Sequence, residues 1–499
     1  MITAADELSP AAKADIQGFT TSGYGHLPHS AYLFLTVHDR TQAQQWLRQL
    51  WPEVATSASW RVQPGSPKVK PTRTLNIAFT YAGLAALGLP AAALATFPGE
   101  FCAGMAAAAR VLGDTGASHP STWELGGPHS DPLHVLLILN AATAADLAVF
   151  CAEQRALLPT DNDAVVEPAG SAQSGARPES GTEPFGFFDG VAQPQIAGIK
   201  GTGVRTGEFV LGYKNEYGFF PVSPVVPHED DPAGLLPASA NPFHGTGRYR
   251  DFGCNGTYIV YRKLAQDVAG FWCYLQNESI RLQGRADPKY MVWLAAKMVG
   301  RWPSGAPLVL APDADNPELR TDDFMYAQQD AYALRCPFGA HIRRTNPRDH
   351  LGRSGRTESL HMTARHRLLR RGKPYGPPLF DPGLLIAPEQ PDALRAILDL
   401  QDDGQPRGVH FLCANTNIKS QFEFVQQVWV NNPAFGGLLG NRDPLAGDND
   451  GQGPGGMVIP GGQATLRTAP LPRFVNVRGG GYFFMPSISA LRYLAEHGA

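Results

Sequence analysis

The chain has 499 residues, with 42 Lys+Arg against 45 Asp+Glu and a formal net charge of −3. That balance gives no support for a nucleic-acid or membrane-surface partner, and the length suggests two or three domains or two repeated halves. The 54 glycines and 43 prolines point to many turns and long loops and away from a helical bundle.

Residues 1 to about 25 read as a polar leader. The apolar run Ala31–Val37 suits a buried strand, and 41–50 has helical spacing. A strand is expected over 74–81, helices over the Ala-rich stretches 82–94 and 103–112, a third strand over 134–140 and a helix over 142–157. This order suits a ferredoxin-like α+β unit. Segment 158–184 reads as a loop or weak strand. The second half loosely repeats this alternation. Strands are expected over 208–213, 257–262 and 408–413, helices over 264–276, 288–300 and 418–431, then a closing strand over 481–486 and a helix over 487–496. Residues 221–247 and 436–465 read as long loops rich in Gly, Pro and Asp. The architecture expected is two α+β halves, each on an antiparallel sheet.

The six cysteines (Cys102, Cys151, Cys254, Cys273, Cys336 and Cys413) form no Cys-x-x-Cys pair and no Cys-x-x-Cys-His. Zinc-ribbon, thioredoxin and covalent c-type haem readings therefore lack support, and free thiols in a reducing compartment are expected. The beginning of the chain carries acids and no basic or apolar leader pattern, so the cytoplasm is the expected location. No run of about 18 apolar residues occurs, and no transmembrane helix is expected. The stretch Gly201–Gly207 lacks dinucleotide-fold spacing, and Asp448-Asn449-Asp450-Gly451 lacks the closing Glu of a calcium loop.

The stretch that stands out is Cys336-Pro-Phe-Gly-Ala-His341-Ile-Arg343-Arg344-Thr-Asn-Pro-Arg348. A single His follows an apolar approach, and a dense run of cationic and amide side chains follows it. A buried metalloporphyrin requires such a set: a neutral imidazole for iron and cations for the propionates. The bland alternative is a core histidine beside a solvated basic strand. Two further stretches bear on the choice: Gly186-Phe-Phe-Asp189-Gly190-Val-Ala-Gln193-Pro194 and His366-Arg367-Leu-Leu-Arg370-Arg371-Gly-Lys-Pro-Tyr375-Gly376. Together, in this order, the three resemble the dye-decolorizing peroxidase family, matching its Gly-x-x-Asp-Gly motif, its Ala-His-Ile-Arg-x-x-Asn-Pro-Arg context and its Leu-Arg-Arg-Gly-x-x-Tyr-Gly context.

The resemblance implies two ferredoxin-like halves of the dimeric α+β barrel type, roughly 1–200 and 201–499, with non-covalent haem b mostly in the second. It implies reduction of hydrogen peroxide and one-electron oxidation of bulky aromatic donors such as dyes and phenols; a homo-oligomer stays open. His341 is the expected iron ligand, Asp189 the distal acid–base residue and Arg370 the distal cation, with Arg371 and Arg367 as alternatives. Arg343 and Arg348 are candidates for propionate neutralisation. The His341 ring needs a second acceptor; Glu423 is the candidate and Asn417 the competing position. Tyr375, and on weaker grounds Trp429 and Tyr482, could relay electrons to the surface. Cys336 as a thiolate ligand would abandon the match. The contrasting function is a haem or porphyrin carrier without turnover, which needs His341 and has no use for Asp189 with Arg370.

Overall fold

The computed structural model describes residues 8–58, 68–159, 161–199, 203–245, 247–351, 355–386, 395–398, 400–452, 456–462 and 464–497. The first seven residues of the expected leader and part of the Gly201–Gly207 stretch lie outside these. The remainder of the leader is built into the fold. It forms short helices at Pro10–Asp15 and Gly18–Thr21, and Ile16 and Phe19 enter the core.

The apolar runs of the first half form β1 (His29–Val37), β2 (Arg73–Phe79) and β3 (Val135–Ala141), with short β4 (Val165–Val166) and β5 (Gln173–Ala176) beyond them. A small hairpin, β6 (Val225–Pro227) with β7 (Tyr249–Asp251), lies in the expected long loop. The second half contributes β8 (Thr257–Gln266), β9 (Leu369–Arg370), β10 (Lys373–Tyr375) and β11 (Gly408–Asn415). After a β12 (Gly456–Ile459) and β13 (Leu466–Pro470) hairpin comes β14 (Val475–Met485).

The main sheet runs β10-β11-β8-β14-β2-β3-β1-β4, with β5 on β1 and β9 on β11, and pairs antiparallel. Its two edges curl together. Lys373 on β10 donates to Leu27 O and to Asn140 Oδ1, and His410 on β11 meets Ser174 O on β5 at 3.1 Å. The sheet thus encloses a core of Tyr32, Phe34, Ile138, Tyr261, Leu412 and Phe483. Helices cover its outside. Arg40–Leu50, Ala144–Ala156 and the terminal Ile488–Glu496 pack on the first half, while Val268–Gln283 and Pro288–Val299 build a separate apolar layer beside the second. Of the described helices, none is long and apolar enough to cross a membrane.

Several boundaries depart from the sequence pattern. The apolar stretch Glu208–Tyr213 is no strand: it follows a 3-10 turn at Thr206–Glu208, and Phe209, Val210 and Leu211 are apolar because a loop buries them. The helix expected from 264 starts at Val268, capped by the Asp267 carboxylate on Gly270 N, because β8 continues to Gln266. The closing strand begins at Val475 instead of 481. Its Gly479-Gly480 pair looks like a loop in sequence, yet the Leu125 backbone lies close against it: Gly480 N donates to Leu125 O, and a Cβ on Gly479 would lie 2.9 Å from that oxygen. The 418–431 helix is wound as two π-type segments, Lys419–Glu423 and Val425–Val430.

The halves of the sheet touch at β14 and β2 through one backbone pair, Phe484 with Phe79. The buried Gln17 side chain reinforces that seam. Its amide donates to Ile77 O and Pro486 O, and its oxygen accepts from Ile77 N and Asn76. Replacing Gln17 with Leu leaves these groups unpaired and is expected to cost at least about 1–3 kcal/mol, read as a lower urea midpoint.

Candidate functional site

One cavity of about 330 Å³, within the ligand-pocket range, lies between the outer face of β8, β11 and β14 and the segments around His341 and Asp189. The three sequence stretches converge on it: Asp189 and Phe188, His341 and Asn346 with Arg348, and Arg367 and Arg370 all line it.

His341 opens the short helix His341–Thr345, and its Nδ1 stands 2.9 Å from Oδ2 of Asp443. Asp443 is fully buried, in the loop of Asn441-Arg442-Asp443-Pro444. Burial opposes its ionisation, but the His341 ring, the Ala446 N–H and the Arg344 guanidinium outweigh that and hold the carboxyl below its ordinary range. An ionised Asp443 accepts Nδ1–H and leaves Nε2 with its lone pair, the tautomer a metal requires. The acceptor expected at Glu423 is therefore corrected: Glu423 faces β14 and accepts from Tyr482 Oη at 2.9 Å. Asn417 does not reach the ring either; its side chain caps its own helix at Ser420 N.

Asp189 lies in a loop whose conformation depends on glycine. Gly186 has φ 100° and Gly190 φ 92°, and a Cβ on Gly186 would sit 2.5 Å from Leu385. Glu183 organises the same loop, its carboxylate accepting from Phe185 N, Phe187 N and Gln266 Nε2. Burial pushes the Glu183 carboxyl up to about 7 against those donors, with Asp189 adding to the rise.

Arg370 reaches Asp189 Oδ1 from Nη1 at 3.5 Å and Ala192 O from Nη2 at 3.3 Å, while its own N–H donates to Gln193 Oε1. The pair is half open, with side-chain exposures of 34% and 46%. An ion pair so exposed contributes about 0–1 kcal/mol, so stability does not explain it. Arg370 ends the short strand β9 and Arg371 follows it outside any helix, so the two side chains part. Arg371 turns to Phe19 O and Thr20 O, away from the cavity. Arg367 stays in the cavity wall beside Arg370.

The basic wall divides into two uses. Arg343 is corrected: it is buried against Asp330 and Cys336 O, stacked on Tyr326 and Phe338, and lines no part of the cavity. Arg348 does line it, although its Nη atoms are held by Asp322 and Phe324 O. Arg367 carries no hydrogen bond or contact ion pair on its guanidinium among the described residues, and burial lowers it to about 10. Buried Arg348 Nε and Asn346 Oδ1 are likewise without partners. A planar group with anionic edges fits this lining: an imidazole with a free Nε2, apolar strands beneath, and cations in need of carboxylates. Cys336 is buried beside the His341 helix with its thiol pushed up to about 11 by burial, unsuited to serve as a thiolate. Among the described residues no cluster of three His, Cys, Asp or Glu side chains could hold a bare metal ion.

Sequence reasoning missed Asp443 and Glu183. Asp443 lies 102 residues from His341, in a stretch that reads as a Gly-rich loop. It also missed the buried ion pair of Asp114 with Arg262 at the far end of the cavity.

With the geometry established, three comparisons bear on it. Residues 15–173 match a family described as the DyP dimeric alpha+beta barrel domain. The chain is 31% identical to the multifunctional dye peroxidase DyP2 of Amycolatopsis sp. over 474 residues, covering 93% of this chain and 91% of that one. It is 30% identical to a dye-decolorizing peroxidase of Mycena epipterygia over 461 residues, covering 86% and 77%. Among solved structures it resembles a fungal DyP-type peroxidase from Auricularia auricula-judae (TM-score 0.69, 27% identity, 97% and 99% covered). It also resembles a dye-decolorizing peroxidase in complex with 2,6-dimethoxyphenol (TM-score 0.70, 27% identity, 97% and 99% covered).

Two outcomes follow from the geometry. Asp443→Ala should lower haem affinity or turnover about 10- to 100-fold, the usual cost of removing a metal ligand's supporting carboxylate, measured by haem titration. Glu183 keeps its proton in the fold up to about 7 but loses it from about 4.5 when unfolded. Its contribution to stability therefore falls as pH rises through that window, and Glu183→Gln should flatten the corresponding slope in melting temperature.

Proposed function

The chain belongs to the dye-decolorizing peroxidases and is a haem-dependent peroxidase, and from that premise we propose that it binds haem b and uses Asp189, Arg370 and His341 as its working residues. The observation that carries the proposal is the convergence of these three side chains on one cavity whose cationic wall holds an unpaired Arg367. Haem bound there supplies the reduction of peroxide and the one-electron oxidation of donors.

His341 offers Nε2 to iron, and Asp443 fixes the ring and increases its basicity. Arg367 and Arg348 are the candidates for the propionates, with Asn346 as a neutral donor. Asp189 would take the proton from one peroxide oxygen and return it to the other. Arg370 lies 3.5 Å from Asp189 and holds a fixed positive charge where the leaving oxygen becomes anionic. The exposure of this pair leaves hydrogen peroxide a path to it. Bulky aromatic donors are oxidised at the cavity mouth or at the surface. Tyr375 suits such a relay, since its ring is partly exposed and lies 4.6 Å from the His410 ring, tilted by 34°. Trp429 and Tyr482 are buried and suit it less. A carrier of haem has no use for a proton acceptor beside a fixed cation, and the relatives are named as peroxidases.

Asp189→Ala should bind haem normally and lose about 10²- to 10⁴-fold in the rate with hydrogen peroxide, measured by stopped-flow absorption at saturating haem. Full turnover in this variant would remove Asp189 from the mechanism. His341→Ala should abolish the Soret band; a retained band would displace His341 as ligand.

A further inference from the structure

The strands under the cavity carry two sets of side chains. On β8 and β11, Arg262, Val409 and Phe411 line the cavity, while Tyr261, His410 and Leu412 point the other way into the barrel. We propose that Tyr261 and His410 form a proton-coupled redox site that takes one oxidising equivalent from the peroxide reaction and holds it as a neutral tyrosyl radical inside the barrel. The proposal rests on the peroxidase activity above and concerns residues outside its site.

The hydrogen bonds fix the direction of proton transfer. His410 Nε2 faces Ser174 O at 3.1 Å, and a carbonyl can only accept, so Nε2 carries the hydrogen. The neutral ring then has its lone pair at Nδ1, 2.9 Å from Tyr261 Oη, so the phenol donates. Both residues are fully enclosed, at 0% and 1% exposure, and burial holds His410 neutral, lowering its pKa to about 3. Among the described residues the enclosed Tyr258 hydroxyl has no hydrogen-bond partner to take its proton.

Loss of an electron makes the phenol O–H strongly acidic, so the proton moves along the existing hydrogen bond to Nδ1 although burial makes His410 a weak base. At Tyr261 the O–H bond breaks as an N–H bond forms at His410 Nδ1. One electron leaves the ring for the peroxide-derived oxidant, which is reduced by one equivalent. The imidazolium keeps its Nε2–H on Ser174 O. Reduction by a donor electron returns the proton to Tyr261. Tyr261 precedes Arg262, whose side chain is in the cavity wall, so one sheet thickness separates the site from the reaction. The His410 ring also lies 4.6 Å from Tyr375 at a tilt of 34°, and the Lys263 ammonium sits 5.5 Å from the Tyr375 ring. The pair thus stands between the cavity and a partly exposed aromatic ring.

The test uses the haem-loaded enzyme, one equivalent of hydrogen peroxide, and freeze-quench electron paramagnetic resonance beside stopped-flow absorption. The wild type should give a tyrosyl signal that forms more slowly in deuterium oxide. Tyr261→Phe, which removes only the hydroxyl, should lose that signal while the peroxide-driven absorption change persists. His410→Gln should slow its formation by about 10²-fold, the scale of removing a positioned base. A signal that survives Tyr261→Phe, or a wild type whose haem responds to peroxide without any tyrosyl signal, overturns the inference alone. A wild-type spectrum that peroxide leaves unaltered overturns the peroxidase mechanism and this site with it. Should Tyr261→Phe fail to fold, His410→Gln decides: an unchanged rate and isotope effect overturns the proposal.

Discussion

The arrangement depends on one buried charge. Asp443 has no solvent, and an isolated carboxylate there would be prohibitively costly. It is tolerated because every side of it is answered. His341 meets one oxygen, while the N–H groups of Leu445 and Ala446 donate to the other. Its own backbone is pinned as well, with Asp443 N on Val430 O and Asn449 on Asp443 O. Arg344 joins the same three segments by donating to the carbonyls of Trp429, Asn432 and Asn441. The His341 ring therefore has one orientation and one tautomer before any iron arrives. Removing the His341 ring would strand a buried carboxylate, so this half of the site is held rigidly.

The opposite half has the reverse character. Asp189 and Arg370 are partly solvated and stand at a long hydrogen-bond distance. Their positions come from backbone anchors and not from their mutual attraction: Asp189 N on Gly181 O, Arg370 N on Gln193, and the loop held by Glu183. A loosely paired acid and cation can each turn to a small ligand between them without breaking a strong bond. On the proposed function, one firmly held imidazole and two loosely held groups is the division of labour that suits peroxide cleavage.

How much of this the sequence carried follows from where each residue's information lies. Asp189, His341 and Arg370 sit in local patterns whose glycines and cations reflect local backbone demands, such as the left-handed Gly186 and Gly190. Those were legible. The partner of His341 was not, because Asp443 meets it through a contact 102 residues long and its flanks show only the turn signals of Asp-Pro. Glu423 was misread for a related reason: helix spacing places it on a face, but which strand covers that face is decided by β14 and Tyr482. Arg343 and Arg348 look alike in sequence, and only the Asp330 loop on one side and the cavity on the other separate them. The strand content of the second half was partly hidden by glycine, since Gly479 serves the close approach of Leu125 and Gly480 that of Met105.

The period of two in a strand is what lets a single sheet serve a reaction and insulate it. Along β8, Arg262 faces the cavity and Tyr261 the barrel, and along β11, Phe411 and His410 divide in the same way. Arg370 at the end of β9 and Arg371 just after it also part, one beside Asp189 and the other on the Thr20 carbonyl. Because the sheet's edges meet at Ser174 and His410, the inner set is sealed from water while remaining one backbone away from the outer set. In such a geometry a residue's neighbours in sequence are its neighbours across the wall. Whatever charge the cavity face handles is felt first by the aromatic and imidazole groups immediately behind it. The closure of the barrel therefore does more than bury apolar surface: it places enclosed, hydrogen-bonded side chains within reach of the reaction while denying them to solvent.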